Sequence, residues 1–250
     1  MTSISLEQFF KENPSVALGF SGGVDSSYLL YAGLMHDAKI KAYYVKTAFQ
    51  PEFELRDAYR LTEQIGTPLT VIELDVMQHA SVTGNTPDRC YYCKNLIFGA
   101  IRERATSDGY PLLIDGTNAS DDADDRPGMR ALTELGVRSP LREAGLTKEQ
   151  VRLLSREAGL FTWDKPAYAC LATRIPTGHE ITEDLLTKVE MAENALFEIG
   201  FTDFRVRVID GAARLQFTAG QMDEAILRRH EILRLIKPIF SFVLLDLEGR

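Results

Sequence analysis

A run of small and polar residues near the N-terminus has the composition of a phosphate-binding loop: Ser21, Gly22, Gly23, Val24, Asp25, Ser26 and Ser27. The apolar run 15–20 predicts a strand before it, and the next residues predict a helix. Glycine lets the backbone approach an anion, and free amides at a helix N-terminus donate to phosphate oxygens. A carboxylate among phosphates requires a cation, so we assign Asp25 to Mg²⁺. A tight turn followed by a capped helix is the alternative interpretation.

Three cysteines are the second set of residues that could do chemistry. Cys90 and Cys93 lie three positions apart near the start of a predicted helix, whose N-terminus favours thiolate, and Cys170 lies in an irregular segment. Three cysteines do not pair off as disulfides, which indicates a reducing compartment. Three thiolates suit a [4Fe–4S] cluster with one open iron. Catalytic thiols without a cluster, and a zinc or structural site, remain alternatives, although zinc needs a fourth ligand.

The first half of the chain alternates between strand-like and helix-like segments. The patterns predict strands at 15–20, 39–45, 69–74 and 112–114, and helices at 52–65 and 88–105. Repeated units of this kind form a doubly wound parallel sheet with helices on both faces. Ligands then bind at the carboxyl ends of the strands, where the candidate phosphate loop lies.

From about residue 147 the pattern changes. Thr147 is predicted to cap a helix, and the irregular segment 161–181 follows. Helices are predicted at 182–199 and 221–236, and strands at 204–209, 213–217 and 240–246. We therefore predict an α/β fold with a phosphate-loop domain at 1–160, an active-site linker at 161–181, and a smaller α+β domain for substrate and oligomerisation at 182–250.

Composition and charge argue against several broad classes of function. The formal net charge of −8 argues against the wide basic surface that nucleic-acid binding uses. The N-terminus has no cationic start followed by an apolar run, and no apolar stretch approaches the length of a membrane helix. We expect a cytoplasmic protein with neither a membrane nor a nucleic-acid partner.

The loop matches the SGGxDS signature of the PP-loop ATP pyrophosphatases at every defined position, and the resemblance covers roughly the first 160 residues. It implies that ATP is cut between its α and β phosphates, so that AMP is placed on a substrate oxygen. It also implies a nucleotide-side loop containing Thr117, Asn118 and Arg126, followed by a later helix around Lys148. For the acidic run 121–125 a solvated surface loop is the alternative.

The loop and the cysteines together resemble the LarE family, ATP-dependent sulfur transferases of nickel-pincer nucleotide cofactor biosynthesis. The matching segments are 21–27, 90–94, 116–128, 163–178 and 204–217. The resemblance implies a pyridinium mononucleotide substrate with ring carboxylates, one of which is adenylated and then converted to a thiocarboxylate. It implies ATP, Mg²⁺ and a [4Fe–4S] cluster as cofactors, a sulfide source or sulfur-donor protein as partner, and a homo-oligomer.

Members of that family differ in their source of sulfur. Some give up the sulfur of a cysteine at the position of Cys170, whereas others hold a cluster on three cysteines. Because Cys90 and Cys93 accompany Cys170, the chain resembles the cluster type. Arg205 and Arg207 alternate on one predicted strand, and the resemblance implies that they hold the substrate phosphate; a solvated strand face is the alternative.

Two features depart from the family pattern. Gln216 stands where relatives usually carry Glu, and the chain stops soon after its last predicted strand, where relatives continue. Two other functions remain open: a tRNA-thiolating enzyme, which the acidic charge disfavours, and a non-enzymatic iron-sulfur protein that binds ATP without turning it over.

Overall fold

A computed structural model describes residues 4–121 and 127–250 of the chain. They form two compact units, the first made of residues 4–76, 88–121 and 127–167, and the second of residues 77–87 and 168–250. The boundary after Ala167 lies inside the segment 161–181 that the sequence analysis set apart. The domain limits at 160 and 181 remain sequence-based predictions.

The described residues form the following elements in chain order: α1 (Leu6–Glu12), β1 (Ser15–Gly19), α2 (Val24–Met35), β2 (Lys39–Lys46), α3 (Glu52–Ile65), β3 (Leu69–Glu73), α4 (Ala80–Thr83), α5 (Arg89–Ser107), β4 (Leu112–Ile114), α6 (Pro127–Glu134), α7 (Pro140–Glu143), α8 (Lys148–Glu157), α9 (Glu183–Glu198), β5 (Phe204–Ile209), β6 (Ala212–Phe217), α10 (Ala219–Leu227), α11 (Arg229–Ile236) and β7 (Val243–Leu245). Within these ranges no helix combines the length and the apolar character needed to cross a bilayer.

The first unit is built on a parallel sheet with strand order β3-β2-β1-β4. The register places Leu18 of β1 beside Ala42 of β2 and Ile114 of β4, and Arg138 continues the sheet through a parallel bridge to Ile114. The centre of β1 is buried, as expected for a strand covered on both faces. The predicted doubly wound α/β fold is confirmed.

Two separate apolar clusters cover the faces of this sheet. On one face Leu29 of α2, Leu61 of α3 and Val151 of α8 pack with β1 and β2. On the other face Ile101 of α5 and Leu132 near the end of α6 pack against the opposite sides of the same strands. Because helices pack on both faces of β1, the position of the loop that follows this strand is fixed from both faces of the sheet.

Local sequence signals explain where the helices begin and end. Thr147 caps α8 in a capping box with Gln150, as the sequence predicted for this N-terminus. The predicted helix 221–236 is wrong in one respect, because it consists of α10 and α11 separated at Arg228, whose φ of −92° and ψ of 14° leave the helical region. The Arg228 guanidinium donates to Glu224 and Glu231 on either side. No glycine or proline lies at this break, so the apolar periodicity of the sequence predicted one continuous helix.

The second unit contains a small sheet with strand order β5-β6-β7, in which β5 and β6 are antiparallel and β6 and β7 are parallel. One face is apolar: Phe204 and Phe217 pack with Phe197 and Phe201 from the end of α9 and the turn after it. The other face carries polar side chains. The predicted smaller α+β arrangement is confirmed, although β7 is shorter than the predicted strand 240–246.

Candidate functional site

The predicted phosphate loop links β1 directly to α2. Gly22 has φ 71°, in the left-handed region that favours glycine, and an added Cβ would lie 3.3 Å from Ala58 of α3. Gly23 is the N-cap of α2, and no described side chain caps this end. The first amides of the helix therefore remain available to an anion.

The serines of the loop have different roles. The hydroxyls of Ser21 and Ser26 lie 3.1 Å apart, Ser26 Oγ donates to the carbonyl of Gly23, and Gly23 N–H donates to Ser21 Oγ. These bonds hold the turn in shape. Ser27 is fully buried in α2, and its hydroxyl has no hydrogen-bond partner among the described residues. Its assignment as a phosphate donor stays a prediction.

Asp25 receives hydrogen bonds from two other segments of the first unit. Asn118 Nδ2 donates to Asp25 Oδ1 at 3.2 Å. Lys148, the first residue of α8, places its ammonium group on Asp25 Oδ2. The structure thus brings together two predicted site residues, Asp25 and Asn118, and adds Lys148, which the sequence analysis assigned only to a later helix.

The loop after β4 packs tightly against the phosphate loop. A Cβ on Gly116 would lie 2.8 Å from the backbone nitrogen of Ser26, so this approach requires glycine. Buried Asp115 accepts hydrogen bonds from Thr117 Oγ1 at 2.5 Å and Ser139 Oγ at 2.6 Å, which fixes the start of the loop. The predicted nucleotide-side residue Thr117 is therefore bound within its own loop. Arg126, predicted beside it, lies outside the described residues.

A second lysine reaches the phosphate loop from the end of the first unit. Lys165 Nζ lies 3.5 Å from the carbonyl oxygen of Gly22, 2.7 Å from Asp57 and 3.2 Å from Glu54, both on α3. Its side chain is only 13% exposed. The loop is thus flanked by two ammonium groups, Lys148 and Lys165, each paired with carboxylates.

Cys90 and Cys93 lie near the start of α5, as predicted. Cys90 is exposed, Cys93 is partly exposed, and neither forms a disulfide within the described part of the chain. Arg89 Nη2 lies 3.6 Å from the sulfur of Cys90. An uncapped helix start beside a guanidinium is an electropositive setting for these sulfurs.

Cys170 belongs to the second unit, is partly exposed and forms no disulfide with another described cysteine. It precedes a short 3-10 turn, 171–174, and its carbonyl oxygen accepts from Thr173 N–H at 3.0 Å and Thr173 Oγ1 at 2.8 Å. Arg174 Nη1 donates to the carbonyl of Ala169 at 2.9 Å. The backbone on both sides of the thiol is therefore fixed.

A buried ionic cluster supports this turn. Arg174 forms two hydrogen bonds with Glu193 of α9, and Glu193 also accepts from the hydroxyl of Tyr168. Burial opposes the charge of Arg174, but the bonds and charge of Glu193 outweigh it and raise the pKa of Arg174. Burial and the charge of Glu193 raise the pKa of Tyr168, which keeps its hydroxyl protonated as a donor.

Arg205 and Arg207 project from the same face of β5, opposite Gln216 and Arg214 of β6. Arg205 is buried, with its guanidinium 5.1 Å from the ring of Tyr168, and burial followed by repulsion from Arg174 lowers its pKa to about 10. Arg207 is exposed and donates to the carbonyl of Thr173 at 2.7 Å. At neutral pH both arginines are cations, so the predicted pair forms a positive strand face.

Three polar residues continue the hydrogen bonding of this strand face across the sheet. Arg207 Nε donates to Gln216 Oε1, and Gln216 Nε2 donates to Asp246 Oδ2, both at 2.5 Å. Arg214 Nη2 also donates to Asp246 Oδ2 at 2.5 Å. Hydrogen bonds from Gln216 and Arg214 lower the pKa of Asp246, which is therefore an anion at neutral pH. Gln216 thus acts as acceptor and donor at once.

The structure bears differently on the two predicted metal sites. Asp25 offers oxygen ligands of the kind that Mg²⁺ prefers. Within residues 4–121 and 127–250, no three His, Cys, Asp or Glu side chains are gathered in a way that could hold a metal ion. The cluster on Cys90, Cys93 and Cys170 therefore stays a prediction.

Several residues of these sites were not predicted from the sequence, because their roles depend on contacts made only in the folded chain: Asp57, Lys165, Glu193, Arg214 and Asp246. Gly116 lies in the predicted segment 116–128, and a glycine just after a strand is a sequence signal for the close backbone approach found here. Glu193 had none, because it reads as one more polar position on a long helix.

Comparison with known proteins adds the following findings. No protein-family model matches the chain. The chain is 36% identical over 251 residues to an uncharacterised protein of Synechocystis sp., covering 98% of this chain and 93% of the relative. It is 31% identical over 242 residues to the pyridinium-3,5-bisthiocarboxylic acid mononucleotide synthase of Lactiplantibacillus plantarum, covering 96% of this chain and 88% of the relative.

A weaker similarity extends to the enzyme MnmA of Fervidobacterium nodosum, a tRNA-specific 2-thiouridylase. It is 26% identical over 125 residues, which is 40% of this chain and 36% of the relative. The two named relatives are enzymes whose products contain sulfur.

Proposed function

The chain belongs to the LarE family of pyridinium-3,5-bisthiocarboxylic acid mononucleotide synthases, and on that premise we propose that it is an ATP-dependent sulfur transferase. In the proposed reaction a ring carboxylate of a pyridinium biscarboxylate mononucleotide attacks the α-phosphorus of ATP, and pyrophosphate leaves. A sulfur nucleophile then attacks the acyl adenylate, and AMP leaves as a thiocarboxylate forms. The observation that carries the proposal is the convergence of the glycine loop, Asn118 and Lys148 on Asp25.

The first unit supplies the groups that ATP requires. No side chain caps the start of α2, so its first amides can donate to phosphate oxygens, and the absence of a side chain on Gly116 lets the loop after β4 pack closely beside them. Lys148 and Lys165 add positive charge beside the loop. Asp25 would hold Mg²⁺, which neutralises charge on the phosphates as pyrophosphate departs. Thr117 and Arg126 are proposed to complete the nucleotide side of this site.

The second unit supplies the groups that a mononucleotide phosphate requires. Arg205 and Arg207 are proposed to bind that phosphate, because a guanidinium presents parallel N–H donors that match its oxygens. Arg214 lies on the same sheet face, opposite Arg207. Arg205 is buried in its strand beside the ring of Tyr168. Its side chain is therefore already ordered and loses little conformational entropy when phosphate binds.

We propose that sulfur reaches the acyl adenylate through a [4Fe–4S] cluster on Cys90, Cys93 and Cys170. Thiolates are the usual protein ligands of such clusters, and all three cysteines lie outside any disulfide of the described residues and are at least partly exposed. A bound cluster would supply a sulfide that can be replaced after each turnover. Thr173 and Arg174 hold the backbone around Cys170. The alternative is a single-use enzyme in which Cys170 itself gives up its sulfur.

The remaining proposals concern partners and location. A sulfide source or a sulfur-donor protein must reload the enzyme, and we propose a homo-oligomer in the cytoplasm with no nucleic-acid partner. The net charge of −8 supports the last point.

The function is tested by anaerobic purification and a single assay. Protein, ATP, Mg²⁺, sulfide and the pyridinium biscarboxylate mononucleotide should give AMP, pyrophosphate and a product in which one oxygen is replaced by sulfur. Pyrophosphate release that does not depend on the pyridinium substrate would contradict the proposal. Salt-sensitive tRNA binding together with tRNA thiolation would favour the alternative function of a tRNA-thiolating enzyme.

The source of sulfur is tested on the same preparation. Iron and sulfide bound to the purified protein, with a visible absorption band and catalytic turnover on added sulfide, are expected for the cluster. A colourless, iron-free protein whose mass falls by one H₂S during a single turnover would transfer the role to Cys170 as sacrificial donor.

A further inference from the structure

The carboxylate of Asp25 is engaged at both oxygens in this structure. Asn118 occupies Oδ1 through an amide N–H, and Lys148 occupies Oδ2 through its ammonium group. An amide donor and a metal ion can share a carboxylate, because the amide carries no net charge. An ammonium group and a divalent cation on the same oxygen repel each other at short range in a partly buried setting.

The backbone of Lys148 is fixed, whereas its side-chain ammonium group can move. Its N–H donates to Ser120 Oγ at 3.0 Å, and the capping box of Thr147 and Gln150 fixes the first turn of α8. Its side chain is 33% exposed, and Asp25 is the one ion-pair partner found for it among the described residues. A lysine has a flexible four-carbon stem and three donors that rotate freely. The ammonium group can therefore change partners while the first turn of α8 stays in place.

We propose that Lys148 exchanges partners during nucleotide binding: its ammonium group pairs with Asp25 in the empty protein and moves to the ATP polyphosphate when Mg²⁺ takes its place on Asp25. This inference rests on the proposed nucleotide site. The polyphosphate is the anion that a PP-loop at the start of α2 would hold next to Asp25. Lys148 therefore binds phosphate when nucleotide is present and competes with the metal ion for Asp25 when nucleotide is absent.

The exchange makes metal binding and nucleotide binding depend on each other. Without nucleotide, a metal ion must displace Lys148 from Asp25 and leave its charge unpaired, so metal alone binds weakly. With nucleotide, the displaced ammonium group finds a phosphate oxygen, and the two ligands favour each other reciprocally. The loop would then avoid holding a bare divalent cation in the absence of ATP.

Lys165 behaves differently and gives a contrast within the same unit. It contacts two carboxylates, Asp57 at 2.7 Å and Glu54 at 3.2 Å, and is 13% exposed. Neither carboxylate belongs to the loop, so a metal ion on Asp25 does not compete for its partner. We assign Lys165 to holding α3 against the loop and only Lys148 to the exchange.

The test measures binding without turnover, on the full chain with the cysteines reduced. Wild type, Lys148→Met, Lys148→Arg and Lys188→Met are titrated with Mn²⁺, followed by electron paramagnetic resonance of the free ion, with and without α,β-methylene-ATP. Lys188→Met is the matched control, because Lys188 pairs with Asp184 on the surface of α9 in the second unit. Thermal unfolding of each variant confirms that it is folded.

Lys148→Met should bind Mn²⁺ alone at least about 5-fold more tightly than wild type and should bind the Mn²⁺–nucleotide complex at least about 10-fold more weakly, a loss of coupling in the range seen for linked sites. Lys148→Arg should keep most of the coupling, and Lys188→Met all of it. Unchanged or weaker Mn²⁺ binding by Lys148→Met would overturn the exchange, and so would unchanged nucleotide affinity. A wild-type protein that binds no analogue at any metal concentration would instead refute the proposed nucleotide site, which separates the two failures.

Discussion

Arg174 and Glu193 form a bidentate ion pair in the interior of the second unit. Arg174 Nε lies 2.8 Å from Glu193 Oε1, and Nη2 lies 3.1 Å from Oε2, with the two side chains 0% and 2% exposed. Glu193 Oε1 also accepts the N–H of Val206 on the outer edge of β5 at 2.9 Å. One carboxylate thus links α9, the edge strand and the turn that carries Cys170.

The first prediction concerns this pair. Arg174→Met should lower the free energy of unfolding by about 3–5 kcal/mol, because it leaves the Glu193 carboxylate buried without its cation. Urea unfolding followed by fluorescence measures the change. Lys188→Met removes an exposed Lys–Asp pair and should cost less than about 1 kcal/mol. Equal losses of unfolding free energy in the two variants would show that the buried pair contributes no more to stability than the exposed pair.

The second prediction concerns Gly116. A Cβ there would lie 2.8 Å from the backbone nitrogen of Ser26, and backbone cannot move aside as a flexible side chain can. Gly116→Ala should therefore displace the loop and weaken binding of an ATP analogue by roughly 10- to 100-fold, the cost of losing about one hydrogen bond to a charged phosphate. Isothermal titration calorimetry measures the affinity.

Gly99→Ala is the control for this prediction. Gly99 lies within α5 with open space around its Cβ position, so alanine should leave the affinity unchanged and raise stability by about 0.5–1 kcal/mol through helix propensity. If both variants bind the analogue like wild type, the close approach of Gly116 does not shape the nucleotide site.

The fold of the first unit could be predicted because local patterns and burial agree. The strands ending before the phosphate loop and at 114 are short apolar runs, and α3 has the same limits, 52–65, as its predicted helix. The loop itself follows from its glycines and its place between a strand and a helix. These signals lie within a few residues of one another in the sequence.

The partners of the loop could not be predicted, because they come from distant parts of the chain. Lys148 meets Asp25 across 123 positions, and Lys165 meets Gly22 across 143. From sequence alone, a lysine on a helix is interpreted as a solvent-exposed residue, because only the fold shows which groups it contacts. The same holds for the helix break at Arg228, where ion pairs within the chain replace the usual glycine or proline signal.

The third prediction concerns acid stability. Hydrogen bonds from Lys41 and Tyr43 lower the pKa of Asp108 to about 2, below its ordinary value of 3.8. A lowered pKa in the folded state stabilises the protein above the unfolded value and loses that effect as the pH falls from about 4 towards 2. Asp108→Asn should therefore reduce the steepness of acid unfolding in this range, measured by circular dichroism. An acid transition identical to that of wild type would show that other carboxylates control it.

The fourth prediction concerns Gln216, which stands between Arg207 and Asp246. Its amide accepts from Arg207 Nε and donates to Asp246 Oδ2, both at 2.5 Å. In Gln216→Glu a carboxylate keeps the first bond but meets Asp246 without a donor, and it neutralises part of the positive face. At pH 8 the affinity for the phosphate-bearing mononucleotide should fall about 10-fold, the order of one lost charge-assisted contact.

The pH dependence of that variant separates this explanation from a general loss of structure. Two facing carboxylates raise the pKa of one of them, and the protonated acid can donate to its neighbour as the amide did. The affinity of Gln216→Glu should therefore recover towards wild type as the pH is lowered from 8 to 6, a range in which Arg205 and Arg207 stay charged. Gln221→Glu adds the same charge at a glutamine that bonds Thr202 N–H and Thr218 instead, so it should show neither the loss nor the recovery. An affinity for Gln216→Glu that stays low at pH 6 would mean that the amide acts by its shape in the sheet face and not by its hydrogen on Asp246.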